Sequence, residues 1–127
     1  MPGPDVEGYR DLLVWQKAMD VVVRCYQLTR SFPPDERFGL TSQLQRTAVS
    51  VPANIAEGHG RRSTKEYLYH LRIAHGSLME LETHLQIGGR LGYVPDDELL
   101  IVLGATEEIG RMLNGLHTSL ERRLASS

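Results

Sequence analysis

Apolar residues recur along this chain at intervals of three and four, which is the spacing of one face of an α-helix. Stretches rich in proline and glycine divide this pattern into four segments. The pattern predicts helices at about 11–31, 39–57, 63–88 and 95–124. Because the connections are short, the fold class that we expect is all-α, an antiparallel up-down-up-down four-helix bundle. This domain would span 9–124, after a flexible tail at 1–8.

Each predicted helix has one apolar face that would point to a shared core. The positions assigned to these faces, in chain order, are Val14, Ala18, Val21, Cys25, Leu28, Phe32; Leu40, Leu44, Thr47 or Ala48, Val51, Ile55; Leu68, Leu71, Ala74 or His75, Leu78, Leu81, Leu85; and Leu99, Leu103, Thr106, Gly110, Leu113, His117, Leu120, Leu124. The fourth set alternates spacings of four and three, as a left-handed bundle seam does.

Local signals support the predicted boundaries. Pro33 follows the first helix and removes a backbone donor, which ends a helix. Pro52 lies inside the second pattern and predicts a kink there. The run from Ser63 to Glu66 is typical of a capping box that starts the third helix. Pro95 precedes three acidic residues, which favours a helix start because carboxylates stabilise the positive end of the helix dipole.

Helices 3 and 4 carry more apolar residues than one core face needs. A surplus of this kind on a bundle helix favours contacts between subunits, because large exposed apolar patches are uncommon on monomers. Trp15 would cover a bundle end or a subunit boundary. The residues assigned to a subunit interface are Trp15, Tyr69, Ile73, Ile87, Val102, Ile109 and Leu116. The alternative is a wide core stripe on a small bundle.

The composition fits one ordinary globular domain. The chain has 127 residues, of which 41% are hydrophobic and 24% are charged, so wholesale disorder is excluded. The net charge is −2, but it is unevenly distributed. Residues 59–94 carry five basic and three acidic side chains, whereas residues 95–127 carry three basic and six acidic ones. Twelve of the fourteen basic residues are arginines, which bind phosphate bidentately.

The basic residues concentrate at the turn between helices 2 and 3. Three cations and the hydroxyls of Ser63 and Thr64 would lie where free N–H groups and the helix dipole favour phosphate. Arg72 lies two turns further on, and Arg46 would approach from helix 2. The candidate nucleic-acid-binding residues are therefore Arg46, Arg61, Arg62, Lys65 and Arg72. The alternative is a solvated basic turn with ordinary helix capping.

No recognisable catalytic or metal-binding motif is present. The chain lacks a Walker loop, HExxH and G-x-S-x-G. His70 and His75 are five residues apart and point away from a common helical face, so we expect no metal and no cofactor. Cys25 lies in an apolar run, as a small buried hydrophobe does, and it suits a reducing compartment. With no signal peptide or membrane-spanning run, we expect a cytoplasmic protein that does not enter membranes.

Several stretches resemble one known family. They are Tyr9–Met19, Arg37–Leu44, Arg46–Gly58, Ser63–Tyr67 and Ile73–Glu82. Together they are similar to the bacterial four-helix-bundle family of 23S rRNA intervening-sequence proteins. The run SVPANIAEG, at 50–58, is the most specific part.

This resemblance implies a homopentameric ring and no established enzymatic activity. A related branch, the accessory variability protein of diversity-generating retroelements, binds nucleic acid through a basic surface. We therefore expect a non-enzymatic, oligomeric protein that associates with RNA or DNA through the basic helix 2–3 turn. The alternative is a scaffold that recruits a partner protein without binding nucleic acid.

Overall fold

The computed structural model of this chain describes residues 8–126, so residues 1–7 of the expected tail lie outside the described residues. Its four helices are α1 (Leu13–Thr29), α2 (Leu40–His59), α3 (Thr64–Arg90) and α4 (Asp96–Ser126). Two single 3-10 turns, Tyr9–Asp11 and Pro34–Glu36, precede α1 and α2. Residues 8–126 contain no strand. The prediction of an all-α fold with four helices is confirmed, and the boundaries differ by one or two residues.

The helices enclose one apolar core. Each helix packs against the next along the chain, and α1 also packs against α4. The core positions expected on the first three helices are buried, and Leu44, Ile55 and Leu78 are completely so. At the two positions with alternatives, Ala48 and Ala74 are buried, whereas Thr47 and His75 are only partly buried. The most extensive contact between two helices is that of α2 with α3.

The buried face of α4 is wider than the heptad pattern predicts. Thr106, Gly110, Leu113 and Leu120 of the expected seam are buried. Val102 and Ile109 are 0% exposed, whereas Leu99 and Leu103 are only partly buried. The reason is geometric, because α4 lies against both α1 and α3 and so buries a wider sector than a two-helix seam. This corrects the assignment of Val102 and Ile109 to a subunit interface, since both side chains are already enclosed by their own chain.

The connections between helices are held by side chains as well as by backbone. Glu36 accepts a hydrogen bond from the backbone N–H of Leu40 at 3.2 Å and so caps the start of α2. The other oxygen of Glu36 accepts from the hydroxyl of Tyr93 at 3.1 Å, which ties the α1–α2 and α3–α4 connections together. Gly92 has a φ of +81°, and a glycine is favoured there because a Cβ would be strained.

Two expected local features lie in α2 and α3. The helix α2 continues through Pro52, whose side chain is buried. The Ser63 hydroxyl accepts from the Glu66 N–H at 3.2 Å, which confirms this half of the predicted capping box. Within residues 8–126, no helix has both the length and the apolar character needed to cross a membrane.

Candidate nucleic-acid interface

The last turn of α2 and the first turns of α3 approach each other unusually closely. A Cβ atom on Gly58 would lie 2.9 Å from the Cβ of His70 and 3.0 Å from Cδ1 of Tyr67. A Cβ contact as short as the one to His70 is essentially never seen in real structures, so a side chain at position 58 would force the two helices to shift. This contact sets the position from which the connecting residues 60–63 leave α2.

A chain of polar side chains runs between α2 and α3. The Ser50 and Ser77 hydroxyls lie 2.8 Å apart. The amide nitrogen of Asn54 donates to the Ser50 carbonyl at 2.9 Å, and its amide oxygen lies 3.2 Å from Nδ1 of His70. Because that amide oxygen only accepts, Nδ1 of His70 must donate the hydrogen bond. We call this set of contacts, among Ser50, Asn54, His70 and Ser77, the polar seam. The SVPANIAEG stretch therefore supplies the α2 side of the polar seam and also the close approach at Gly58.

Glu57 connects this seam to the basic turn. Its Oε1 lies 2.7 Å from Nη2 of Arg61 and 3.9 Å from Nε2 of His70. Arg61 and Glu57 are separated by four residues and are both about half exposed, so their ion pair contributes only modestly to stability. The pair does hold the Arg61 guanidinium at the end of α2.

Four of the five candidate cations lie together at this end of the molecule. Arg61 and Arg62 occupy the connection, and Lys65 and Arg72 lie on the exposed side of α3. Among the described residues, Arg62, Lys65 and Arg72 have no carboxylate within 4 Å. Lys65 and Arg72 also border one open depression of about 450 Å³ between α3 and α4. Their charges are therefore available to an external anion.

Arg46 does not lie at the turn between α2 and α3. Arg46 is exposed on α2, fifteen residues before Arg61. At 1.5 Å per residue the two lie about 22 Å apart along the helix axis. Arg46 is too distant to share a ligand group with the turn.

The end of α4 adds two arginines that are not among the residues predicted from the sequence. Leu124 and Ala125 line the same depression as Lys65, which places the last turns of α4 beside the start of α3. Burial raises the pKa of Tyr67 above its ordinary value, and the nearby charge of Arg123 opposes that rise. Arg122 precedes Arg123 and is also exposed. If helix 4 runs antiparallel to helix 3, its end lies beside the start of helix 3. The expected bundle topology could therefore have predicted that these two arginines lie near Lys65.

The two ends of the molecule differ in charge. Residues 57–66 and 118–126, at the end just described, carry five cations and three carboxylates. Residues 30–37 and 90–98, at the other end, carry three cations and five carboxylates. The hydrogen bond from Tyr93 to Glu36 joins these last two segments. The net charge of −2 thus conceals a basic end and an acidic end.

Five residues assigned to a subunit interface retain exposed surface. Tyr69 and Ile87 are 56% and 41% exposed. Ile73 and Leu116 are partly buried, as is Trp15, whose ring lies 5.1 Å from that of Tyr9 in an edge contact. These five can still contact a neighbour, unlike Val102 and Ile109.

The described residues offer little for metal or thiol chemistry. They contain no group of three or more histidine, cysteine, aspartate or glutamate side chains placed to hold a metal ion. The side chain of Cys25 is 0% exposed, and its burial raises the pKa of the thiol to about 12. A thiol in this state is neutral at ordinary pH and is therefore a poor nucleophile.

The chain is similar to a described family and to a solved structure. The family model described as 23S rRNA-intervening sequence protein matches residues 10–115. The chain is also similar to a crystal structure of a protein of unknown function from the S23 ribosomal protein family of Bacteroides thetaiotaomicron, at 22% sequence identity and a TM-score of 0.77. That match covers 84% of this chain and 96% of the other, and it shows a shared fold. No curated protein matches the chain.

Proposed function

The chain belongs to the 23S rRNA-intervening sequence protein family, and on that premise we propose that it is a non-enzymatic protein that associates with RNA or DNA through its basic end. The proposed contacts are made by Arg61, Arg62, Lys65 and Arg72, with Arg122 and Arg123 added from α4. Phosphate groups would be the ligands, because arginine forks match phosphate geometry. We place this function in the cytoplasm, since a lone buried thiol suits a reducing compartment.

One observation carries the proposal. Cations that are distant in sequence, on the α2–α3 connection, on α3 and at the end of α4, lie at one end of the molecule. Arg62, Lys65 and Arg72 have no carboxylate within 4 Å in the described part of the chain. A surface with several unpaired cations attracts a polyanion through the release of its counterions.

The proposal includes an up-down-up-down arrangement of the protomer and its assembly into a homopentamer. Antiparallel pairing of α2 with α3 is supported by the contacts of Ser50 with Ser77 and of Asn54 with His70, in which the residue numbers change in opposite directions. Trp15, Ile73, Ile87 and Leu116 would supply apolar surface for the contact. In a ring, the basic end would be repeated once per subunit.

Light scattering tests the assembly. A mass of five protomers at micromolar concentration is the expected result, and Ile87→Glu is expected to lower that mass because it places a charge in an apolar contact. A stable monomer of wild-type protein would contradict the proposed assembly.

A gel-shift titration on a structured RNA at low salt tests the association itself. The variant R61A/R62A removes two cations from the basic end, and we expect it to weaken binding by about tenfold or more, since charge-assisted bonds contribute about 1.5–3 kcal/mol each. The matched control is R30A/R37A, which removes two exposed arginines at the α1–α2 connection of the other end. Undetectable binding by wild-type protein, or equal losses in both variants, would contradict the proposal.

A second candidate function is a scaffold that recruits a partner protein. It is favoured by three apolar side chains near the acidic end that are largely exposed: Phe38 is 86%, Leu100 73% and Ile101 56% exposed. A pull-down from nuclease-treated lysate separates the two functions. A protein partner that is retained after digestion, and is lost in Phe38→Ser, would favour the scaffold.

A further inference from the structure

We propose that Tyr69 is a stacking surface for an unpaired base, so that the basic end takes single-stranded nucleic acid. This inference rests on the proposed function and specifies the class of nucleic acid that binds there. It assigns to Tyr69 a role other than the subunit contact expected from the sequence.

Tyr69 lies between two of the candidate cations on one exposed face of α3. Lys65 precedes it by four residues and Arg72 follows it by three, and both spacings bring side chains together on a helix surface. The phenol ring is 56% exposed. Glu66 and Glu121 border this region, and neither lies within 4 Å of Lys65 or Arg72. An exposed aromatic ring flanked by available cations is the arrangement that single-strand-binding surfaces use.

The ring of Tyr69 is held in place by the polar seam. Its centroid lies 5.3 Å from that of the His70 ring, and the two planes meet at 77°. His70 is 8% exposed and is bonded through Nδ1 to Asn54 at 3.2 Å. A ring braced in this way loses little conformational entropy when a base stacks on it.

Unpaired nucleotides fit this arrangement better than a duplex. In a double helix the bases are stacked on one another, so no base face is available to a protein ring. A single strand exposes base faces while its phosphates remain close by. Lys65 and Arg72 are about 10 Å apart along α3 and lie on either side of Tyr69. One strand can therefore place a base on the ring and phosphates on both cations.

A subunit contact at Tyr69 is disfavoured by the same neighbours. Any protein surface that covered the Tyr69 ring would also cover Lys65 and Arg72. Neither cation has a carboxylate partner in the described part of the chain, and burying unpaired charges is strongly unfavourable. A polyanion supplies the missing partners.

Fluorescence anisotropy tests the inference with a labelled oligouridylate of about 12 nucleotides, free and annealed to oligoadenylate. We expect Tyr69→Ala to weaken binding of the single strand by about 5- to 100-fold and to leave duplex binding unchanged. Tyr69→Phe keeps the ring and is expected to bind as wild type does. The matched control is Tyr26→Ala, which removes a tyrosine that is 43% exposed on α1.

Each outcome bears on one claim. Loss confined to Tyr69→Ala and to the single strand, at unchanged mass by light scattering, supports the inference. Single-strand binding that survives Tyr69→Ala but fails in R61A/R62A overturns the stacking role and leaves the proposed function standing. A lowered mass for Tyr69→Ala also overturns it, because the residue would then belong to a subunit contact. If wild type binds neither probe nor structured RNA, the proposed function fails as well.

Discussion

Gly58 has no side chain, and this allows the close contact between α2 and α3 just before the basic turn. The space that a Cβ would need is taken by His70 and by Tyr67, including the Tyr67 carbonyl at 3.3 Å. A backbone atom is among these neighbours, so a side-chain rotation cannot relieve the crowding. The glycine therefore allows α2 and α3 to meet at the point where the cations emerge.

We predict that Gly58→Ala lowers the free energy of unfolding by about 1–3 kcal/mol, because overpacking exceeds the gain in helix propensity. Gly104→Ala is the matched control, since a Cβ there meets no atom within 4 Å. It is expected to raise the free energy of unfolding by about 0.5–1 kcal/mol. Urea denaturation measures both, and a stabilised Gly58→Ala would contradict the close-packing account.

The burial of Cys25 makes the stability of the protein depend on pH. Burial raises the pKa of its thiol from 9.0 to about 12 in the folded protein. The folded state then keeps the thiol proton over a range in which the unfolded state releases it. This contribution to stability is fully present below about pH 9 and is lost as the pH rises towards 12.

We predict that native protein does not react with a thiol reagent at pH 8 and that one equivalent reacts after denaturation. The difference in unfolding free energy between wild type and Cys25→Ala should also shrink as the pH increases from 9 to 11. Rapid labelling of folded protein would show that Cys25 is accessible.

At the scale of elements, the polar seam determines the register of α2 against α3. Ser50, Asn54 and Glu57 repeat at four and three residues, so one face of α2 presents polar groups to Ser77 and His70 on α3. Each bond is satisfied only when the two helices are in one register. The SVPANIAEG stretch is thus explained by structure, without an assigned role in binding.

We predict that Asn54→Ala destabilises the protein by about 1–3 kcal/mol, because Nδ1 of His70 loses its acceptor in a partly buried place. Asn114→Ala, at an exposed position of α4, serves as the control and should change stability by less than about 0.5 kcal/mol. Thermal unfolding measures the difference. Equal effects in the two variants would contradict the importance of the seam.

Element by element, the sequence predicts the first three helices better than the fourth. In α1–α3 the expected apolar positions coincide with the buried ones, so the period identifies the core face directly. In α4, two adjacent stripes are apolar, one with Leu99 and Leu103 and the other with Val102 and Ile109. Period alone cannot distinguish them. The choice depends on the position of α4 against both α1 and α3, which is a tertiary property.

At the scale of the whole molecule, the charge is polarised from end to end. The cations from Arg61 to Lys65 at the basic end are close together in sequence, so this part of the proposed site could be predicted from sequence alone. The contribution of Arg123 depends on the return of α4 to the start of α3, and Arg46 lies along α2 away from the turn. Proximity in sequence therefore explains half of the site, and helix packing explains the rest.

The salt dependence of RNA binding tests the central claim most directly. With an oligouridylate at about 50 to 200 mM salt, we predict that the logarithm of the association constant falls linearly with the logarithm of the salt concentration, with a slope of about −0.7 per phosphate contact. R61A/R62A should make that slope shallower by about one to two units, while R30A/R37A should keep the wild-type slope. Binding that does not respond to salt, or equal slopes in the two variants, would contradict phosphate recognition at the basic end.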